Sequence, residues 1–236
     1  MQQRAVRFFL LVAALVLEVM SPAPFLAAQT SQSETQHHVE DGPPQPSGAV
    51  KSVVDESGQQ LQAQNAKEAL AFADQALKLA IEGKDVVGEA LAHKARADAL
   101  GLLGAKPDQI TAYLAAAAAW QRAADGPGEV EMLGQAGLHL VASGDENGRA
   151  HLRQALYLGR EETRRPLAVA SALRTVSMHL LRLAKRTVLQ EADEFSQTAL
   201  DIQERLVPDS LIVAESLYFR AWVSSDLERP GASLGA

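Results

Sequence analysis

Residues 192–217, ADEFSQTALDIQERLVPDSLIVAESL, decide the fold. Ala192, Phe195, Ala199, Ile202 and Leu206 recur at steps of three and four, and Val188 extends the series backwards. That spacing places one apolar stripe along a helix. Pro208 interrupts it, because proline lacks the N–H that a continuing helix needs, and Asp209-Ser210 completes a turn. Val213-Ala214-Glu215-Ser216-Leu217 then opens a second helical pattern. Each stripe must be covered by a neighbour, so the unit implied is a pair of helices.

Working outward, the pattern returns at a fixed distance. Thr198-Ala199-Leu200-Asp201-Ile202 has earlier counterparts in Gln154-Ala155-Leu156-Tyr157-Leu158 and Gln75-Ala76-Leu77-Lys78-Leu79, with Ala116-Ala117 filling the place between. The key alanines 76, 116, 155 and 199 are separated by 40, 39 and 44 residues. A second ladder runs through the alternate helices as Ala97, Gly137, Ser177 and Ala221, at 40, 40 and 44. Leucine stands four places before three of these, at Leu133, Leu173 and Leu217, with His93 as the exception. Breakers at Gly83, Gly104 to Pro107, Gly126-Pro127-Gly128, Gly144-Asp145, Pro166 and Pro208 divide the chain into helix-sized pieces. Two ladders advancing in step predict stacked helical hairpins meeting through small residues, an all-α solenoid. Counting back gives an earlier first helix through Val54, Gly58 and Leu61, hence about four hairpins and one unpaired C-terminal helix. The step from 40 to 44 lies between Ser177 and Ala199, where Lys185-Arg186-Thr187 holds no strong breaker, which predicts about one extra helical turn in the fourth hairpin.

The order of leucine, small residue, bulky residue and later alanine resembles the tetratricopeptide repeat, and 192–223 is similar to its longer variety. Such strings resemble the arrays of kinesin light chains and of large bacterial secreted proteins in which repeats precede a caspase-like CHAT peptidase domain. The resemblance covers 188–223 best and 86–125 least, where His93 and Gln109 depart from it. It implies a right-handed solenoid that binds a protein or peptide in its concave groove without catalysis. The alternative is the N-terminal recognition arm of a truncated CHAT peptidase: the chain has no cysteine for the Cys–His pair of that enzyme. The absence of a polar capping helix after the last stripe implies a front end of a longer array, and self-association through that uncapped helix.

Ala and Leu supply 74 of the 236 residues and aromatics only 5%, which favours helix over sheet. Zero cysteines exclude disulfides, thiol nucleophiles and thiolate metal sites. A net charge of −7 argues against nucleic acid and anionic membrane as partners. Arg4 and Arg7, the apolar run Phe8 to Leu17, and Ala27-Ala28 predict a signal peptide over 1–28. Glu18, Pro22 and Pro24 cut that run short of a membrane span. Cleavage removes two positive charges and one negative, leaving −8, and places the protein in the periplasm or outside the cell, with no stable membrane insertion. Residues 29–48, polar with three prolines, read as a disordered linker, 49–225 as the solenoid and 226–236 as a disordered tail.

Motifs for chemistry are lacking. Gly83-Lys84 has neither the upstream glycine nor the following Ser/Thr of a phosphate loop, and Gly144 to Gly148 reads as a turn rather than a calcium loop. His37-His38 with Glu40 and Asp41 read as solvated linker, and the helical histidines 93, 139, 151 and 179 form no HExxH pair. The run Arg160 to Arg165 reads as a solvated helix end, and no GxSxG elbow occurs. No cofactor or metal is expected. In tetratricopeptide arrays the positions flanking the small residue of each first helix face the groove. By that resemblance the peptide-contacting set is Lys94, Asp98, Gln135, Arg174, Met178, Tyr218 and Trp222, with Gly134, Leu138, Thr175 and Phe219 beside them. Its Arg and aromatic members suit peptide recognition.

Overall fold

The computed structural model describes residues 42–183 and 186–228, so the expected signal peptide and most of the linker lie outside the described residues. Residues 42–47 have no regular secondary structure, and the Ser47 N–H donates to Asp85 Oδ2 at 2.7 Å. The described remainder is helical: α1 (Gly48–Gln62), α2 (Ala66–Gly83), α3 (Val86–Leu102), α4 (Lys106–Arg122), α5 (Gly126–Ser143), α6 (Asn147–Glu161), α7 (Pro166–Arg182), α8 (Arg186–Leu206) and α9 (Leu211–Glu228). Consecutive helices pack on one another throughout, and α1 with α3 and α5 with α7 also touch. Over the described residues the chain is an all-α solenoid of four antiparallel hairpins followed by α9. Helix α9 runs past the boundary expected at residue 225. Among the described residues no helix is long and apolar enough to cross a membrane.

The hairpins meet through small residues, as the two ladders require. A Cβ added to Gly137 would lie 2.8 Å from the Gly148 carbonyl oxygen and 2.9 Å from Leu152 Cγ, so the backbones of α5 and α6 cross in near contact. Ser177 donates its hydroxyl proton to the Ala192 carbonyl at 2.6 Å, which closes α7 on α8 while satisfying a buried polar group. Ser57 does the same for α1 and α2 through the Ala69 carbonyl at 2.8 Å. The ladder residue of the first hairpin is therefore Ser57, not the Gly58 suggested by counting back, and a Cβ on Gly58 would meet open space. Ser57 preserves the interval of 40 to Ala97. The alanines 76, 116, 155 and 199 are all buried, and so are Val188, Ala192, Phe195 and Ile202 of the α8 stripe.

The turns keep a stricter period than the helices. Residues in the left-handed region fall at Gln64, Lys84, Gly104, Ala124 and Gly144, one every 20 residues. At each, the following N–H bonds back to a carbonyl five residues earlier: Asn65 to Gln60, Asp85 to Ala80, Ala105 to Leu100, Asp125 to Trp120 and Asp145 to Leu140. This is the Schellman closure, which satisfies carbonyls that a helix end leaves orphaned. The glycines read as breakers are thus displaced from the pivot at two turns. Lys84 rather than Gly83 is left-handed, and Ala124 rather than Gly126, which already lies inside α5. Asp85 and Asp125 complete the joints by capping the next helix, each accepting from the N–H three residues on, at 2.8 Å from Gly88 and 3.1 Å from Gly128.

The regularity stops after α6. Glu162 is extended there; Arg160, Glu161, Thr163 and Arg164 are exposed, in keeping with the solvated helix end expected, whereas Arg165 is drawn in over the joint at Ala124 and Asp125. Arg165 Nη1 reaches Asp125 Oδ2 at 2.8 Å, and Arg164 donates to the Ala124 carbonyl at 2.6 Å. Helix α7 then rests more on α5 than on α6. Helix α8, at 21 residues, exceeds α4 by about one turn, which accounts for the 44-residue step.

Candidate functional site

A cleft of about 570 Å³ opens where the C-terminal halves of the first helices α1 and α3 meet the start of α4 and the far part of α5. Its walls combine the apolar Leu61 and Leu102 with Asp98, Gln109, Tyr113 and His139. The hairpin fold explains this mixture. The place on α4 seven residues before the key alanine is Ala, Gly and Ala in α2, α6 and α8, but here it is the amide Gln109. Gln109 lies against Gly101, where a Cβ would come 2.5 Å from its Nε2. Glycine at 101 therefore makes room for a polar group inside an otherwise apolar crossing.

Three polar contacts organise the cleft. The Tyr113 hydroxyl donates to Asp98 Oδ1 at 2.7 Å, its ring lies parallel to that of His139 with centroids 5.6 Å apart, and Gln109 Nε2 is 3.3 Å from His139 Nε2. Burial, and next the Asp98 charge, push the Tyr113 hydroxyl far above its ordinary range, so it stays protonated and acts as a donor. Beyond Asp98 the network continues along α3 and α5. Lys94 Nζ lies 3.6 Å from Asp98 and 3.7 Å from Glu131. Burial works against its charge, but the two carboxylates outweigh burial and hold the ammonium above its usual range. From α5 to α7 the link is Gln135 Nε2 to His179 Nδ1 at 2.7 Å.

Both histidines are kept neutral. Burial is the main cause for His139, reinforced by His179 and Lys106; for His179 it is burial, then Arg182. With the Gln135 amide as donor, His179 accepts at Nδ1 and carries its proton on Nε2. The ensemble sets carboxylates and a flat aromatic stack along the cleft, with the single Tyr113 hydroxyl proton given to Asp98 and the Lys94 ammonium held between two carboxylates. Among the described residues no group of three or more His, Cys, Asp and Glu is placed to hold a metal ion.

The residues expected from the sequence separate into two groups. Lys94, Asp98 and Gln135 join the network just described, Gln135 being almost fully buried. Arg174 pairs with Glu215 at 3.4 Å and so bridges α7 to α9, while Met178 is half-buried on α7. Tyr218 and Trp222 stand on α9 with 80% and 55% of their surfaces exposed, the latter edge-on to Phe219 at 6.3 Å. Gly134 and Leu138, expected beside the groove, are core: a Cβ on Gly134 would strike Val176 of α7, and Leu138 is buried.

The sequence reading missed Gln109, Tyr113, Glu131, His139 and His179. The first two lie on a second helix, whereas only first helices were surveyed. The histidines did carry a signal: each falls two places after a ladder residue, Gly137 and Ser177, and they are 40 apart. No family model matches the chain, and a comparison with curated proteins finds no match.

Proposed function

We propose that the chain is a non-catalytic recognition module of tetratricopeptide type, exported from the cytoplasm, that holds an extended segment of a protein partner against the first helices of its hairpins. The observation that carries this reading is the roughly 570 Å³ cleft, walled by Leu61 and Leu102 and floored by the Asp98–Tyr113–His139 assembly. A wall of apolar side chains beside a few fixed polar groups is the composition that orients a ligand. Lys94, Asp98 and Glu131 are spent largely on one another, so recognition rests on the apolar walls Leu61 and Leu102 more than on net charge.

Selection of random peptides on the immobilised full chain tests this. Enriched sequences should bind with Kd of about 1–100 µM. Leu102→Glu, on the exposed wall of the cleft, should weaken them at least tenfold, and Arg174→Glu should do so for peptides long enough to reach α7, with melting temperatures within a few degrees of the parent. No enrichment, or binding indifferent to both substitutions, rejects the proposal.

A further inference from the structure

The segment that leads into α1 is extended by its own chemistry. Pro43, Pro44 and Pro46 fix three φ angles, each proline biases the residue before it away from helix, and Ser47 stands at φ −59° and ψ 147°. Burial alternates along it: Pro44 and Pro46 are half-buried, whereas Pro43, Gln45 and Ser47 are exposed. An unseated tail would show no such inner edge.

Its seat is built from the starts of the first helices. Asp85 gives Oδ1 to the Gly88 N–H of α3 and Oδ2 to the Ser47 N–H, at 2.8 and 2.7 Å. Burial raises the Asp85 carboxyl, but these two donors outweigh it and hold the group below its ordinary range. The equivalent Asp125, 40 residues on, divides its oxygens the same way, with Oδ1 on the Gly128 N–H of α5 and Oδ2 on Arg165 at 2.8 Å. Beyond Asp85 the segment reaches that second joint. Gly42 and Pro44 share the walls of a cleft of about 190 Å³ with Gly126 and Pro127, at the start of α5, and with Arg164. The lead-in of α1 therefore passes over the second hairpin to the third.

In a solenoid each hairpin is held by its neighbours, and small rotations add along the stack. A segment that skips a neighbour limits that sum. The recognition cleft lies across the same helices at their other ends, with Leu61 at the end of α1, Leu102 at the end of α3 and His139 in the last part of α5. We infer that residues 42–47 are a strap that sets the opening of this cleft: by tying the start of α1 to the starts of α3 and α5, they fix the angle between the first and third hairpins. With the strap seated, the cleft is held ready for its ligand, which lowers the ordering cost of binding. With the strap lifted, the width of its mouth varies. The consequence for binding rests on the recognition role proposed above; the hold of the strap on the hairpins does not.

Double electron–electron resonance of the full chain tests this. Because the chain has no cysteine, Gln62→Cys and Ser143→Cys place the only two spin labels, at exposed positions near the ends of α1 and α5. The parent should give one narrow distance distribution. Asp85→Asn keeps an oxygen for the Gly88 N–H, since Asn caps a helix as well as Asp does, but turns an amide donor toward Ser47. Combined with Pro44→Gly and Pro46→Gly, it should widen the distribution at least about twofold while the melting temperature stays within a few degrees. Gln45→Ala, on the exposed edge, should change nothing. A broad distribution in the parent, an unchanged one in the triple variant, or the same widening with Gln45→Ala each overturns the inference. If the triple variant fails to fold, Asp85→Asn alone decides, because its cap is intact. Peptides selected on the parent should bind the triple variant at least about fivefold more weakly. If selection yields no peptide, the recognition role falls while the label distances still judge the strap.

Discussion

At Gly137 the space for a side chain is set by main-chain atoms, the Gly148 carbonyl and the Leu152 nitrogen at 3.1 Å, which cannot rotate away as a flexible side chain can. Even a methyl group must therefore separate α5 from α6. Gly137→Ala should cost about 1–3 kcal/mol, read as a lower urea midpoint with unchanged slope, whereas Gly58→Ala, which points at open space, should be neutral or stabilising. This site was legible in the sequence because glycine fell on a ladder of small residues. Ser57 was not, because Gly58 beside it offered an equally small residue. What chose between them was the hydrogen bond to Ala69, a contact made between helices and invisible along one. The same limit hid Tyr113, which reads as one more member of an apolar stripe until Asp98 is found opposite its hydroxyl.

At the scale of an element, the joints are more uniform than the residues that build them. Ala124 sits at φ 53° and Lys84 at φ 54°, where a Cβ crowds the backbone, while Gly104 and Gly144 occupy the same place freely. The left-handed conformation costs a non-glycine residue about 1–2 kcal/mol, and glycine gives back part of the relief through extra freedom when unfolded, about 0.5–1 kcal/mol. Ala124→Gly should therefore stabilise the chain by roughly 0.5–1 kcal/mol, checked by chemical denaturation against Gly144→Ala, which should lose a similar amount. Glycine alone locates such turns only to within a residue or two. That is why Gly83 and Gly126 were taken for pivots when the backbone bonds place the pivots at Lys84 and Ala124. The longer α8, in contrast, followed directly from the 44-residue step, since ladder spacing counts helix length whatever the turn chemistry.

For the molecule as a whole, the half-buried histidines couple stability to acidity. His93, His139 and His179 are held below their ordinary range of about 6.5 by burial foremost, with Arg96 and Arg122 acting on His93 against the pull of Glu89. Above that range both folded and unfolded chains are neutral at these rings. As pH falls through it, the unfolded chain takes up protons first, so stability is lost on the acid side. Glu129, raised by burial above 4.5, pulls the other way lower down. The melting temperature should thus fall by a few degrees between pH 7.5 and 6, and His139→Gln with His179→Gln should flatten the slope, since an amide can keep the bonds to Gln109 and Gln135. Equal slopes in parent and variant would remove these rings from the account. The fold could be read from period alone because a solenoid is built of contacts between sequence neighbours; the cleft could not, because its groups converge from α3, α4 and α5.

The invariant distance between left-handed joints has a further consequence. Gly104 and Gly144 are followed by bonds of the same geometry, Ala105 to Leu100 and Asp145 to Leu140. A chain spliced from one to the other would enter and leave the junction along the same path. Lengthening or shortening by whole hairpins thus changes the number of surfaces on offer without redesigning a connection, until α6. There the extended stretch held by Arg164 and Arg165 breaks that interchangeability and marks where such a rearrangement would have to stop.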